Sequence, residues 1–235
     1  MKGKLFLIPT IIAEGTADGV IPKRVLETLA GLDTFLAEDV RTARRYLSSL
    51  KIYPSIEALQ FHVLDKDSTE AGIRPLFQPV LEGRSLGVLS ESGCPGVADP
   101  GALAARLAHE LSIPVVPLVG PSSILLSLMA SGLNGQCFAF HGYLPIESKE
   151  AARAIHDLEK ESRTRNQTQI AIETPYRNKT LFQNLVRNLN DATLLTVATD
   201  VTGADEWIKT IPVRQWKKEN PELPKLPTVF LFLAS

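Results

Sequence analysis

Short apolar runs alternate along the chain with stretches whose apolar residues recur at helical spacing. Residues 4–8 form the first run, closed by Pro9-Thr10. Apolar positions at 21, 25, 26, 29 and 32 then predict a helix over 21–32, with Pro22 suited to its first turn. A strand over 34–37 runs directly into Glu38-Asp39, and 41–50 is again helical. Residues 85–90 (Ser-Leu-Gly-Val-Leu-Ser) are a third strand and open a Gly/Pro-rich stretch over 91–101. A helix over 102–111, a strand over 113–118 and the turn Gly120-Pro121-Ser122 before a helix over 123–131 follow.

The second half continues less regularly. It predicts helices over 149–161 and 178–189, and strands over 167–173, 192–198, 207–211 and 228–234. The stretch 213–227 carries Pro221, Pro224 and Pro227 and is expected to be a loop. Strand–helix alternation of this kind argues an α/β protein with a parallel sheet and helices on its faces. A boundary near Gly120 would separate two α/β domains, 1–119 and 120–235. Pro9-Thr10, Glu38-Asp39, 91–101 and 119–123 each follow a predicted strand. In an open parallel sheet, the connections after strand ends share one edge, where ligands bind. The site is expected there.

Composition narrows the classes. With 235 residues, 44% hydrophobic and 22% charged, the chain can bury a sizeable core and is neither fibrous nor disordered. The formal charge of −1 excludes a globally basic nucleic-acid binder, so any such contact must be a local patch. Cys94 and Cys137 make neither a metal cluster nor a disulfide framework; each is read as a small buried hydrophobe in a reducing interior. The first apolar run is too short for a secretion signal, and no run approaches the ~20 residues of a membrane span. The expectation is a soluble, cytoplasmic protein without a membrane partner.

The familiar catalytic signatures are missing. There is no Gly-x-x-x-x-Gly-Lys-Ser/Thr loop, no Gly-x-Gly-x-x-Gly after the first strand and no Gly-x-Ser-x-Gly elbow. His62, His109, His141 and His156 lack metal-ligand spacing, so no metal is expected. What remains is Ser90-Glu-Ser-Gly-Cys-Pro-Gly-Val-Ala-Asp-Pro-Gly101. Its glycines and prolines suit either a rigid turn or a loop that brings main-chain groups against a ligand. Gly120-Pro-Ser-Ser123 is either an ordinary helix cap or a second such turn. Glu38 and Asp39, beside Arg41, Arg44 and Arg45, read either as a proton acceptor with a phosphate-contacting patch or as a solvated helix start.

At these loops the chain resembles the tetrapyrrole methylase superfamily of S-adenosylmethionine-dependent methyltransferases, and within it the ribosomal RNA small subunit methyltransferase I branch of 2′-O-methylases. The segment from Val88 to Gly101 looks like that family's donor loop. Leu5-Phe-Leu-Ile-Pro-Thr10, Ala37-Glu-Asp-Val-Arg41, the run from Ile113 to Ser123, Ala130-Ser-Gly-Leu133, Gly142-Tyr-Leu-Pro145 and Glu173-Thr-Pro-Tyr-Arg177 are similar to branch segments in the same order. The resemblance implies two α/β domains, the N-terminal sheet mainly parallel and the C-terminal sheet mixed, with a cleft between them. It implies S-adenosylmethionine as cofactor, a homodimer, and ribosomal RNA of the small subunit as partner. Carried over by position, the donor-binding residues are Pro9, Glu91, Gly93, Val97, Ser122, Ser123, Ile172, Ala198 and Thr228. The candidate catalytic residues are Glu38, Asp39 and Arg41.

Methyl transfer suits a chain without loud motifs. The displacement is in line on a carbon that already carries a good leaving group, so alignment is the enzyme's main task. Departures from the branch lie at Ile11-Ile-Ala-Glu14, at Glu91 where the family has aspartate, over 61–65 and over 198–203. The donor-side segments are better kept than those expected to meet the acceptor. Methylation of a small molecule or another acceptor therefore stays open beside the RNA reading, as does a donor-binding module without catalysis.

Overall fold

Leu5 and Ile8 point to opposite faces of the first strand, and both are fully buried, so the chain begins by committing one strand to two hydrophobic layers. The computed structural model describes residues 2–234, in two compact units that meet in sequence at Ser122 and Ser123.

In the first unit β1 (Leu5–Ile8) is followed by α1 (Ala17–Val20), α2 (Lys23–Leu29), β2 (Thr34–Ala37), α3 (Val40–Ser49) and β3 (Gln60–Val63). Then come α4 (Glu70–Ile73), a 3₁₀ turn (Arg74–Phe77), α5 (Gln78–Leu81), β4 (Leu86–Leu89), α6 (Gly101–Glu110) and β5 (Val115–Pro117). The five strands are all parallel, in the order β3-β2-β4-β1-β5. Every strand therefore ends on the same edge of the sheet, as the alternation predicted. One face packs Ile8, Phe35 and Leu89 against Val25, Leu29 and Leu47 of α2 and α3. The other packs Leu5, Leu36 and Val88 against Phe77 and Leu107. The sequence pattern missed β3, an edge strand of mixed polarity with no fully buried position, which carries His62 opposite Leu36.

The second unit comprises α7 (Ser123–Ser131), β6 (Phe138–Phe140), α8 (Ser148–Arg165), β7 (Thr168–Glu173), α9 (Asn178–Asn188), β8 (Leu194–Thr199), β9 (Trp207–Pro212), α10 (Val213–Glu219) and β10 (Thr228–Leu233). Its sheet is mixed, in the order β6-β7-β10-β8-β9: β6 and β7 run parallel and the remaining pairs antiparallel. Here the expected loop over 213–227 is corrected, because its first part is α10. Pro212 sets the helix entry at φ −58°, and Val213 and Trp216, three apart, are buried. Asn220 then ends the helix in the left-handed region at φ 39°. The prolines that suggested a loop all lie beyond that stop.

Trp216 shows what the short helix is for. Its ring is fully buried, edge-on to Phe182 at 5.4 Å and to Trp207 at 5.9 Å, and its indole N–H donates to the Leu195 carbonyl at 2.8 Å. Trp216→Phe keeps most of the apolar surface and removes the donor. It should lower unfolding free energy by about 1–2 kcal/mol, measured by urea titration. Cys94 and Cys137 are half-buried rather than buried. Among the described residues, no helix is long and apolar enough to cross a membrane.

Candidate active site

The loops that follow β1, β4 and β5 are stitched together by main-chain groups. The Thr10 N–H donates to the Gly93 carbonyl at 2.9 Å, joining the first loop to the Gly/Pro-rich one. The Cys94 thiol points at the Pro121 carbonyl at 3.4 Å, joining that loop to the turn after β5. Pro9 and Gly120 close the triangle: a Cβ on Gly120 would stand 2.2 Å from the Pro9 Cβ, so only glycine allows this approach. Tyr46 of α3, buried and with its ionisation pushed up by that burial, donates its hydroxyl to the Pro9 carbonyl at 3.2 Å.

Gly93 holds φ at +72°, a left-handed conformation, and a Cβ there would lie 3.4 Å from the Pro121 carbonyl. Further along the loop, Asp99 Oδ1 accepts from the Gly96 N–H at 2.5 Å and the Gly101 N–H at 2.7 Å. This Asx-type clamp fixes the backbone and leaves Glu91 and Val97 exposed at the loop's surface. The loop is preorganised, with main-chain groups available to a ligand.

Glu38, at the end of β2, is half-buried. Burial raises its carboxyl above the usual glutamate range, and repulsion from Glu91, Asp99 and Asp65 adds to the shift. Asp39 has a different fate. Its Oδ1 accepts from the Thr42 N–H at 2.6 Å as the N-cap of α3, and that bond is the main reason its carboxyl is held low. Arg41 is exposed in the first turn of the helix, and Arg44 lies over the Phe61 ring at 5.1 Å. Two adjacent carboxylates, read as equals in the sequence, are thus separated into a half-buried carboxyl of raised pKa and a cap.

A cavity of about 440 Å³ opens between the loop after β1, helix α3 and the start of the Gly/Pro-rich loop. Thr10, Ile12, Thr42, Tyr46, Ser49 and Glu91 are among its walls. Tyr46 was not singled out from the sequence, and Thr10 and Asp99 entered only as parts of their loops. An Asx turn was legible in Asp99-Pro-Gly101; the inward orientation of Tyr46 needed the buried stripe Ala43-Tyr46-Leu47 of α3.

In the second unit, Ser123 opens α7. Ile172 of β7 and Ala198 of β8 both stand opposite Val229, so the three form a row on one face of the sheet, in the cluster that includes Leu128. Thr228 faces the other way. Its buried hydroxyl is tied to Leu226, Thr199 and Asn178, so it braces strands rather than joining that row. His141, also near a strand end, shares a 2.6 Å hydrogen bond with Gln169.

Five parallel strands with ligand-ready loops, followed by a mixed five-stranded unit, define the two-domain α/β fold of the tetrapyrrole methyltransferases. The methyltransferase CobJ shares this fold at a TM-score of 0.63, with 18% identity, over 99% of this chain and 95% of that one. Uroporphyrin-III C-methyltransferase from Thermus thermophilus, solved with S-adenosylhomocysteine, does so at a TM-score of 0.57, with 15% identity, over 98% and 97%. No family model matches the chain. Ribosomal RNA small subunit methyltransferase I of Escherichia coli O157:H7 is 31% identical over 222 residues, 93% of this chain and 73% of that protein. Its namesake in Haemophilus influenzae is 31% identical over 228 residues, 96% and 76% of the two chains. The chain belongs to the ribosomal RNA small subunit methyltransferase I family. It is a methyltransferase.

Proposed function

We propose that this enzyme methylates a ribose 2′-hydroxyl of small-subunit ribosomal RNA. S-adenosylmethionine is the donor, supplying an activated methyl carbon on a cationic sulfur. The carrying observation is the stitched sheet edge: three loops locked to one another, with a carboxyl of raised basicity beside them. The donor loop fits such a group. Its backbone is fixed before binding, and its carboxylate-rich surroundings favour a positive charge.

In this reading Pro9, Glu91, Gly93, Val97 and Ser122 hold the donor in the first unit. The second unit contributes Ser123, Ile172 and Ala198, with Thr228 bracing the strand that faces the last two. Glu38 accepts the hydroxyl proton as the new bond forms, since its raised pKa brings its basicity toward neutral pH. Asp39 positions Glu38 by capping α3, and Arg41 meets a backbone phosphate. A homodimer in the cytoplasm belongs to the same reading.

Calorimetric titration with S-adenosylmethionine, and separately with its demethylated product, should give saturable binding near one site per chain. Small ribosomal subunits lacking this modification should then gain one ribose methyl, read by mass spectrometry of nuclease fragments. Donor binding with no methyl gained on the subunits would sink the RNA assignment; no binding of either ligand would sink the donor site as well.

A further inference from the structure

The cavity beside the donor loop shares Glu91 with the reading above, and its other walls have no part in it. Its volume of about 440 Å³ falls within the roughly 300–1,000 Å³ of small-ligand pockets. Ile11, Ile12 and Ala43 give it apolar walls, while Thr42 and Ser49 bring hydroxyls. Thr10 lines it too, and its hydroxyl is buried without a hydrogen-bond partner among the described residues. Apolar walls with a few polar groups suit the faces and the edge of a heterocycle. Ser90 and Glu91 form the side of the cavity next to the donor loop, so a base seated there brings its own ribose toward the methyl donor.

The cavity also has a cation of the right kind. Arg45 lines it and is paired with Glu14 at 3.5 Å, both side chains being more than 70% exposed. So exposed a pair is weak and is readily exchanged for another anion. Single-stranded RNA is read by splaying bases out of the stack into pockets that hold their faces and edges.

We infer that this cavity receives the extruded base of the acceptor nucleotide, with Arg45 leaving Glu14 for the adjoining phosphate. The inference rests on the RNA reading above, and its test separates the two.

Protein labelled with ¹³C at the isoleucine δ1 methyls, saturated with the demethylated donor product, is titrated with each of the four ribonucleoside 5′-monophosphates. At least one should shift the Ile11 and Ile12 methyl signals saturably. Ile12→Trp fills the cavity. It should abolish the response at Ile11 and leave donor affinity unchanged, while the KM for small subunits rises about tenfold or more, the scale of losing a pocket contact. The smaller Ile12→Phe, with a melting temperature measured for both variants, guards against misfolding. Arg45→Ala should weaken subunit binding and reduce its salt slope by about one phosphate.

The inference is overturned if no nucleotide shifts either isoleucine, or if Ile12→Trp methylates subunits with the wild-type KM. Nucleotide-dependent shifts in a wild-type protein that leaves subunits unmethylated would sustain the pocket and overturn the ribosomal acceptor instead.

Discussion

Gly93→Val is expected to weaken S-adenosylmethionine binding about a hundredfold while the protein stays folded. Gly93 sits at φ +72°, where a β-branched residue is a strong outlier. Its Cβ would lie 3.4 Å from the Pro121 carbonyl, and valine adds two methyls beyond that point. Relief requires the loop to move, which breaks the 2.9 Å bond from the Thr10 N–H to the Gly93 carbonyl. Left-handed strain of roughly 1–2 kcal/mol and a lost hydrogen bond of about 1 kcal/mol together weaken binding about a hundredfold. Calorimetry on the variant measures this. Gly93→Ala, which adds strain without the methyls, should fall between the two. Wild-type affinity in the valine variant would remove this loop from the donor site.

The second large effect belongs to Glu38. Glu38→Gln keeps the size and hydrogen-bonding capacity of the side chain and removes its basicity. Turnover should drop about 10²- to 10⁴-fold, the usual contribution of a positioned base, with donor affinity unchanged. The pH profile makes the test specific. The working form is the carboxylate, so wild-type kcat should fall as pH drops through a pKa above the ordinary glutamate range. In Glu38→Gln that acid limb should vanish and the residual rate become flat across it. The stability sign is opposite: a raised folded-state pKa stabilises the fold most below the unfolded value, and that contribution is lost as pH rises through the folded one. An unchanged acid limb in the variant would assign the proton to another group.

Family membership changes what the departures at the acceptor side mean. Ile11 and Ile12, which replace the family's residues after Pro9-Thr10, form walls of the cavity next to the donor loop. A changed segment is therefore a changed wall, and acceptor preference is the property expected to respond. Glu91, one methylene longer than the family's aspartate, lines the same cavity and adds to the repulsion felt by Glu38. In the proposed reading, donor loop, acceptor cavity and base are coupled through this one residue.

Several features were legible along the chain because they depend on near neighbours. Alternating strand and helix periods specified a parallel first sheet, and Asp99-Pro-Gly101 specified a turn. The order of motifs carried the family. Other features belonged to contacts distant in sequence. Edge strand β3 has no apolar pattern of its own and exists because β2 offers it an edge. Helix α10 forms because Trp216 has Phe182, Trp207 and the Leu195 carbonyl to bury against. Thr228 and Ile172 looked alike as strand residues, and only the register across Val229 and Glu173 sends their side chains to opposite faces. Asp39 and Glu38 are neighbours of one charge and nearly one size. A helix start took the first as its cap, and burial, with repulsion from Glu91, Asp99 and Asp65, raised the pKa of the second. By itself the sequence determined most of the strands and helices and which loops share an edge, since both follow from local period and strand order. Which groups are buried, paired or left basic was decided by tertiary structure, because desolvation and Coulomb repulsion depend on distances between residues far apart in the chain.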